Sequence, residues 1–570
     1  MKKYLFLILA LFYLNEHLFS EKLAAPGLIN TKDLIIGRFH LKRYCSRISS
    51  LSSDKKSKAR ANNNHMTHPD LNSINNPLKE SASINKSKSQ KKTGRALLES
   101  FAFMAVSAGL YWWRWGLWAE DWQYSFSWED QRNRFFTLEA TKFDSNSFMT
   151  NFSHGPNGAI FYNFARTNHL TVSESWFFAI STSLFWEYLV EYKEIVSIND
   201  NLFNSFLGFS MGEPLFQLGK YLSYREETVC KVLAAIVNPV LALNNWLSGN
   251  NRFRDNNLLS RSRLESHLLF GVIHGEFSGT DPGYNHFNTG IRSSLISIPD
   301  YSVPGETHMK LKGPFFSEIF ADMNIGPKYI EEFNIITKAT LFGYFKKNLK
   351  ENRDRLEGFQ FYLALGSAFD MFRKTSKAPY DTITSGSSTS EHIAVTRPTD
   401  FSDKMAIINT LGPMIEFSLF KGRTIFTLNI EAYFDFALVN SIALSSYSVE
   451  NQLYSIKSTL SKYGYYYALG FTTLVSMKVR RGNLNLDSLI KYHQFDSIDG
   501  LDRFQDSIVD DFNLIDSRLL FQISLGYRIP QTYVTLLLSY QSIDREGTIK
   551  DIHHQEIEKK IFFQIKLDLI

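Results

Sequence analysis

The chain has 570 residues, 44% apolar and 21% charged, with a formal net charge of +5. That length suffices for about two or three folded units, and a mean hydropathy of −0.19 excludes a bundle of many membrane-spanning helices. Two cysteines, Cys45 and Cys230, exclude a disulfide framework and cannot make a zinc site alone, while an aromatic share of 15% fits either a ring-rich core or rings facing lipid and its interface.

In chain order, Lys2-Lys3 forms a positive start and Tyr4 to Leu14 an apolar run that Asn15-Glu16-His17 ends. The run is too short to cross a bilayer, which takes about 20 residues. Residues 1–20 therefore read as a secretory signal, with cleavage after Ser20 or at Ala24 or Ala25; a buried first helix is the alternative. Residues 21–95 form an arm without apolar period. Between 38 and 95 it carries 14 Lys and Arg against three acids, Asp54, Asp70 and Glu80. Such a segment buries too little apolar surface to offset its ordering entropy and is expected to be a disordered tether. Its charge also suits anionic lipid headgroups; secretion argues against nucleic acid as a partner.

Residues 96–260 turn apolar with helical spacing. Trp112, Trp113, Trp115 and Trp118 crowd the first helix, and Trp176 to Val190 and Val229 to Leu247 make two more. Clustered indoles favour a boundary between hydrocarbon and water. Arg114, Glu187 and Lys231 interrupt the three stretches, and a charge at mid-bilayer costs on the order of 3 kcal/mol by insertion scales. Helices packed on one another, or on a barrel, are expected rather than free spans. Ser183, Glu187 and Glu191 recur every four residues and so share one helix face. His154 and Asp200 supply further donors of the kind that carry proton transfer or clamp helices in a polar network. No Gly-x-Ser-x-Gly elbow surrounds a candidate serine in this region.

Asn151, His154, Gly158, Tyr162, Ala165-Arg166, Ser183, Trp186-Glu187, Glu191, Ser197, Asn199-Asp200 and Gly212-Glu213 together resemble the bacterial envelope family called domain of unknown function 3943, over roughly residues 145–250. The family usually has His-Pro after the Asn and Pro-Ser before the acidic turn; here the pairs are His154-Gly155 and Val196-Ser197. The resemblance implies an envelope protein, often with a strand-rich C-terminal part, and no particular activity.

From 266 to 570 the period becomes two. Phe359 to Met371, Phe426 to Leu438, Tyr463 to Val479, Leu519 to Ile529 and Phe563 to Leu569 each set large apolar side chains on one face and small, polar or charged ones on the other. These runs exceed the five or six residues usual in soluble sheets, and a tilted strand needs about 9 to 11 residues to cross a membrane. The fold class expected is therefore an α+β membrane protein, a helical N-terminal domain followed by an antiparallel transmembrane β-barrel of about 12 strands. Strands are placed near 266–277, 306–312, 315–323, 333–345, 357–372, 409–420, 424–438, 463–479, 483–493, 515–529, 531–544 and 557–570, with tight turns at Gly313-Pro314, Lys421-Gly422-Arg423, Arg480-Arg481-Gly482 and Pro530. Segments 278–305, 373–408, 439–462, 494–514 and 545–556 read as long outer connections. Strand parity puts the helical domain on the periplasmic side or in the lumen as a plug. The lumen charges Asp370, Glu416, Glu431, Asp435, Lys478, Arg518 and Arg528 are mixed in sign, which suits cross-lumen ion pairs better than a selectivity ring.

The pattern thus points to an integral outer-membrane protein with outer-membrane lipids as partners and a structural, binding or transport role. The alternative is a membrane-embedded hydrolase or transferase acting on lipid or glycan. His154 would then be its base, Glu187 and Glu191 metal-binding or acid–base carboxylates, Asp200 the orienter and Arg166 the holder of an anionic group. No metal-ligand set is assigned, and the sequence leaves cofactor and oligomeric state open.

Overall fold

The computed structural model describes residues 90–115, 123–225, 227–249, 262–277, 283–327, 329–352, 355–374, 403–451 and 453–569. The signal sequence and all of the basic arm before residue 90 lie outside the described residues.

Among the described residues, seven helices longer than two turns come first: α1 (Thr93–Trp115), α2 (Phe148–Thr167), α3 (Val172–Phe185), α4 (Ile198–Ser210), α5 (Gly212–Tyr224), α6 (Thr228–Val237) and α7 (Pro239–Leu247). Their starts carry the expected caps. Ser147 and Ser197 accept backbone N–H groups at the starts of α2 and α4, and Thr171 with Glu174 forms a full capping box on α3.

Strands follow: β1 (Arg263–Phe277), β2 (Tyr284–Ile296), β3 (Gly305–Lys312 continued by Phe316–Ile325), β4 (Ile330–Asn352), β5 (Arg355–Lys374), β6 (Lys404–Gly422) and β7 (Thr424–Asn440). They continue with β8 (Tyr465–Arg481), β9 (Leu484–Ser497), β10 (Leu514–Arg528), β11 (Val534–Ile549) and β12 (Ile552–Asp568). Each is antiparallel to its neighbours, and β12 pairs with β1 through Ile561 and His274, so the sheet closes into a 12-strand barrel.

The strand count agrees with the sequence for two cancelling reasons. Segment 278–305 is not one long connection, because it contains β2. Gly313-Pro314 is not a hairpin turn. Lys312 pairs with Phe342 and Ser317 with Ala339, so the chain bulges at Gly313 (φ 111°) and resumes along the same neighbour. The Thr340 hydroxyl accepts the N–H groups of Phe315 and Phe316 (3.1 and 3.0 Å) and ties the break to β4. Segment 545–556 also differs, since β11 and β12 run on to a tight turn at Lys550-Asp551. The β2–β3, β4–β5, β6–β7, β8–β9 and β10–β11 connections, the start of β1 and the end of β12 share one rim, while the short β1–β2 and β3–β4 connections lie at the other. Segments 375–403, 441–464 and 498–513 share the opposite rim.

Ion pairs between strands that are not neighbours identify the lumen face. Asp370 on β5 meets Lys491 on β9; Lys338 on β4 lies 2.8 Å from Glu431 on β7; Lys560 on β12 lies 2.8 Å from Glu332 on β4. Described connections enter the lumen from both ends. At the short-turn rim, residues 297–304 fold inward, where Lys347 donates to the carbonyls of Asp300 and Val303 (2.6 and 2.9 Å) and Tyr301 bonds Glu416. At the other rim, segment 441–464 enters the barrel with α8 (Leu444–Glu450) and α9 (Ser458–Tyr463). Leu444, Tyr447 and Leu460 pack there against Tyr466, Ala468 and Phe495.

The seven helices are not a luminal plug. Phe369, Met371, Phe436, Leu438, Tyr465 and Tyr467 point away from the lumen, in alternation with Asp370, Ala437 and Tyr466. They are buried against Phe143, Phe148, Phe152, Phe203 and Leu207 of the helical domain. Farther along the wall, Leu264 and Leu295 pack on Leu218, Tyr221 and Leu222 of α5. The helices therefore lie along the outer face of one sector of the barrel. The physical reason is that this sector's outward side chains need a cover, while the lumen is already occupied by the barrel's own connections.

Candidate functional site

The polar residues of the helical domain gather in two latches. The first joins the start of α2, the start of α4 and the barrel wall near the long-connection rim. Asn151 and Asn199 sit side by side, and the Asn199 amide donates to Asn151 Oδ1 at 2.6 Å. Asn151 donates in turn to the Tyr465 hydroxyl at 2.8 Å. Asn199 Oδ1 accepts from the Asp144 backbone N–H (2.8 Å) and from the Ser197 hydroxyl (3.0 Å). Tyr467 donates to the Asp144 carbonyl at 2.7 Å, and Tyr465 bonds the Asn146 carbonyl. Barrel and helices are thus joined by hydrogen bonds as well as by apolar packing, and Asp144 meets Arg503 of the 498–513 connection at 2.6 Å.

His154 Nε2 lies 3.2 Å from Asp200 Oδ1, so these two expected partners are together. Glu187, 1% exposed, accepts the Ser197 N–H at 3.0 Å through Oε2, and its Oε1 has no protein partner. Arg134, fully buried, donates to the Glu187 carbonyl at 2.7 Å. Glu191 and Glu194 occupy the turn after α3, beyond the helix. Burial, and then the charges of Glu194 and Asp200, push the Glu191 carboxyl well above the ordinary range. Glu194 is raised too, chiefly by burial, although its bond from the Tyr111 hydroxyl opposes the shift.

Arg166 is not part of this group. Its Nε and Nη2 form a fork on Glu213 (2.7 and 3.0 Å), and the Tyr162 hydroxyl donates to Glu213 at 2.6 Å. This second latch ties the end of α2 to the start of α5. The guanidinium expected to hold an anionic group is occupied by a buried carboxylate instead.

Chemically, the first latch holds one proton-transfer pair, His154–Asp200, beside carboxyls that favour their neutral form. The Ser197 hydroxyl caps α4 and donates to Asn199, so it is not presented as a nucleophile. Among the described residues, no three His, Cys, Asp or Glu are placed to hold a metal ion. Sequence reasoning missed Tyr465 and Tyr467, which it counted among outward apolar residues. Their signal was chemical: tyrosines recur at 463, 465 and 467 where a lipid-facing strand would carry Leu, Val or Phe.

The raised Glu191 sets a pH dependence. An acid that keeps its proton when folded but loses it when unfolded gives full stability below about pH 4.3, the unfolded value, and loses stability as pH rises through the folded value. Proteolysis at the 191–195 turn is therefore expected to quicken as pH rises above about 4.3. Glu191→Gln should flatten that slope, and an unchanged slope would mean that Glu191 is ionised throughout.

The latch residues that the helical domain contributes lie in a stretch similar to a known family. Residues 140–240 match the family model described as Domain of unknown function (DUF3943). A closed barrel follows that stretch, as the resemblance in the motifs implied. No curated protein matches the chain. Among solved structures, the chain is similar to the NanC porin (8% identity, TM-score 0.23, covering 53% of this chain and 100% of that one). It is also similar to a loop-deleted OmpT of Vibrio cholerae (8%, 0.21, 53% and 99%) and to a TodX monoaromatic hydrocarbon channel (7%, 0.22, 54% and 90%). Likenesses this distant carry no argument about what the chain does, and the barrel is established by its own strand pairing.

Proposed function

We propose that this chain is an integral outer-membrane β-barrel with a shut lumen, acting in the envelope as a structural or binding element rather than as a pore. The observation that carries the reading is the occupied lumen. Loops enter from both rims, and the charges between them are spent on one another. Lys338–Glu431, Lys560–Glu332, Asp370–Lys491 and Arg518–Asp403 cross the space that an open channel would leave to water. An outer-membrane address is supported by the large apolar side chains that alternate outward, such as Val475, Ile490, Leu525 and Phe563, since a closed barrel satisfies every backbone group within hydrocarbon. Long connections are usual at the external rim of such barrels, so the His154–Asp200 latch belongs at the external side in this reading. The basic arm would contact anionic headgroups.

The hydrolase or transferase alternative has less support. Arg166 is engaged by Glu213, and the Asn151–Asn199–Tyr465 bonds give the family's polar residues a packing role.

Conductance across a planar bilayer tests the reading. The folded protein is expected to insert without unitary current steps. A stable open level under moderate voltage would overturn it.

A further inference from the structure

The helical layer has a second face. Its inner face covers the barrel, but its outer face is apolar and uncovered. On α1, Leu97, Leu98 and Phe101 are 56%, 68% and 62% exposed, and Phe177 on α3 is 70% exposed. Val232 and Ile236 on α6 are exposed as well. A large exposed apolar patch marks a partner or a membrane.

Three features of the fold identify the occupant. First, this surface adjoins the barrel's own outward apolar wall, from which the helices displace a sector. Second, α1 runs alongside the strands: Arg95 and Glu99 lie near Asn168 and Asn244, while Trp112, farther along the helix, reaches the Val190 carbonyl near the opposite rim. A helix of 23 residues is about 34 Å long at 1.5 Å per residue, close to the hydrocarbon thickness. Third, its charges sit at its ends or turn inward. Arg95 and Arg114 flank the apolar run, and Glu99 faces inward to Arg95, Asn168 and Asn244. Exposed Trp113, Phe126, Trp128 and Phe136 collect at the Trp112 end, as rings do at a lipid–water boundary. Lys231 is the exposed cation on α6, and its long stem lets the ammonium reach the interface.

We infer that the helical layer is an intramembrane sheath: α1, α3 and α6 lie at bilayer depth beside the barrel and take acyl chains on their outer face, instead of projecting into the periplasm. The inference rests on the barrel being membrane-embedded, and the test separates the two. With Cys45 and Cys230 replaced by serine, single cysteines are placed by Phe101→Cys, Phe177→Cys and, on the barrel wall, Ile490→Cys. They are spin-labelled in the full chain, in vesicles of phosphatidylethanolamine and phosphatidylglycerol. Retention of the folded electrophoretic band selects properly assembled protein.

At all three sites, oxygen is expected to relax the label several-fold more than a water-soluble nickel chelate does. If position 490 prefers oxygen while 101 and 177 prefer the chelate, the helices are in water and the sheath is wrong although the barrel stands. If 101 and 177 are shielded from both relaxants, protein covers them, and the sheath is again overturned. If 490 itself prefers the chelate, the membrane barrel and the sheath fail together.

Discussion

Glu558→Ala is expected to destabilise the barrel by about 3–5 kcal/mol, the cost typical of stripping one partner from a buried ion network. Glu558 is fully buried on β12. Arg545 Nη2 donates to it at 2.6 Å, Lys560 Nζ lies 3.6 Å away, and Lys374 and the Tyr284 hydroxyl also bond it. Three cations converge on one carboxylate, and Asp403, Glu556 and Glu332 supply the remaining negative charge. Alanine strips Lys374 of its carboxylate partner and takes one partner each from Arg545 and Lys560, in a buried site. The temperature at which the folded band gives way to the unfolded one in detergent electrophoresis should fall sharply, and a urea titration should give the energy. Glu558→Gln should recover part of the packing and little of the stability. Glu558→Leu combined with Arg545→Met should recover more than Glu558→Ala, because the double change removes a buried charge from each side. A loss below about 1 kcal/mol for Glu558→Ala would show that water screens this end of the lumen.

The barrel was legible because alternation is a strong, local signal, and the closing ion pairs were foreshadowed by the mixed signs of Asp370, Glu431 and Arg518. The place of the helices was not legible. Period two tells which side chains leave the lumen; it does not tell what they meet outside. Phe369 and Phe563 look alike in sequence, yet one is buried under Phe152 and the other is 58% exposed. Parity located the start of β1 and led to helices placed beneath the barrel or in its lumen, because strand parity carries no signal that the chain before β1 runs back along the wall. At the candidate site, the sequence named His154 and Asp200 as donors from neighbouring segments, and the structure puts them 3.2 Å apart. The engagement of Arg166 by Glu213 was not legible, because that contact joins α2 and α5 across 47 residues. The missed β2 has a local cause. His286, Asn288 and Arg292 face the lumen, but Asn285, Thr289 and Ser293 dilute the apolar face opposite, so alternation is faint there.

The second large effect is expected at Gly158. A Cβ built there would lie 2.0 Å from the Asn204 carbonyl oxygen and 2.8 Å from its Cα. These are backbone atoms of α4, so no side chain can swing aside. The glycine is needed for close approach of two helices, as small residues are in packed membrane helices. Gly208, opposite, contributes to the same crossing, its Cβ position being 3.3 Å from the Gly158 carbonyl oxygen. Gly158→Ala must separate α2 from α4, and overpacking of this kind costs about 1–3 kcal/mol, more where backbone must move. Separation also strains the Asn151–Asn199–Tyr465 bonds, so the damage should spread from the helix crossing to the attachment of the helices on the barrel. Gly109 in α1 supplies the control, since nothing lies within 4 Å of its Cβ position. Gly109→Ala should be neutral or slightly stabilising, by up to about 1 kcal/mol from helix propensity. Limited proteolysis in detergent reads the difference. Gly158→Ala should expose the helical domain to cleavage while the barrel keeps its folded mobility, and Gly109→Ala should leave both intact. Wild-type resistance in Gly158→Ala would mean that the two helices have room between them, and that the latch does not depend on their contact.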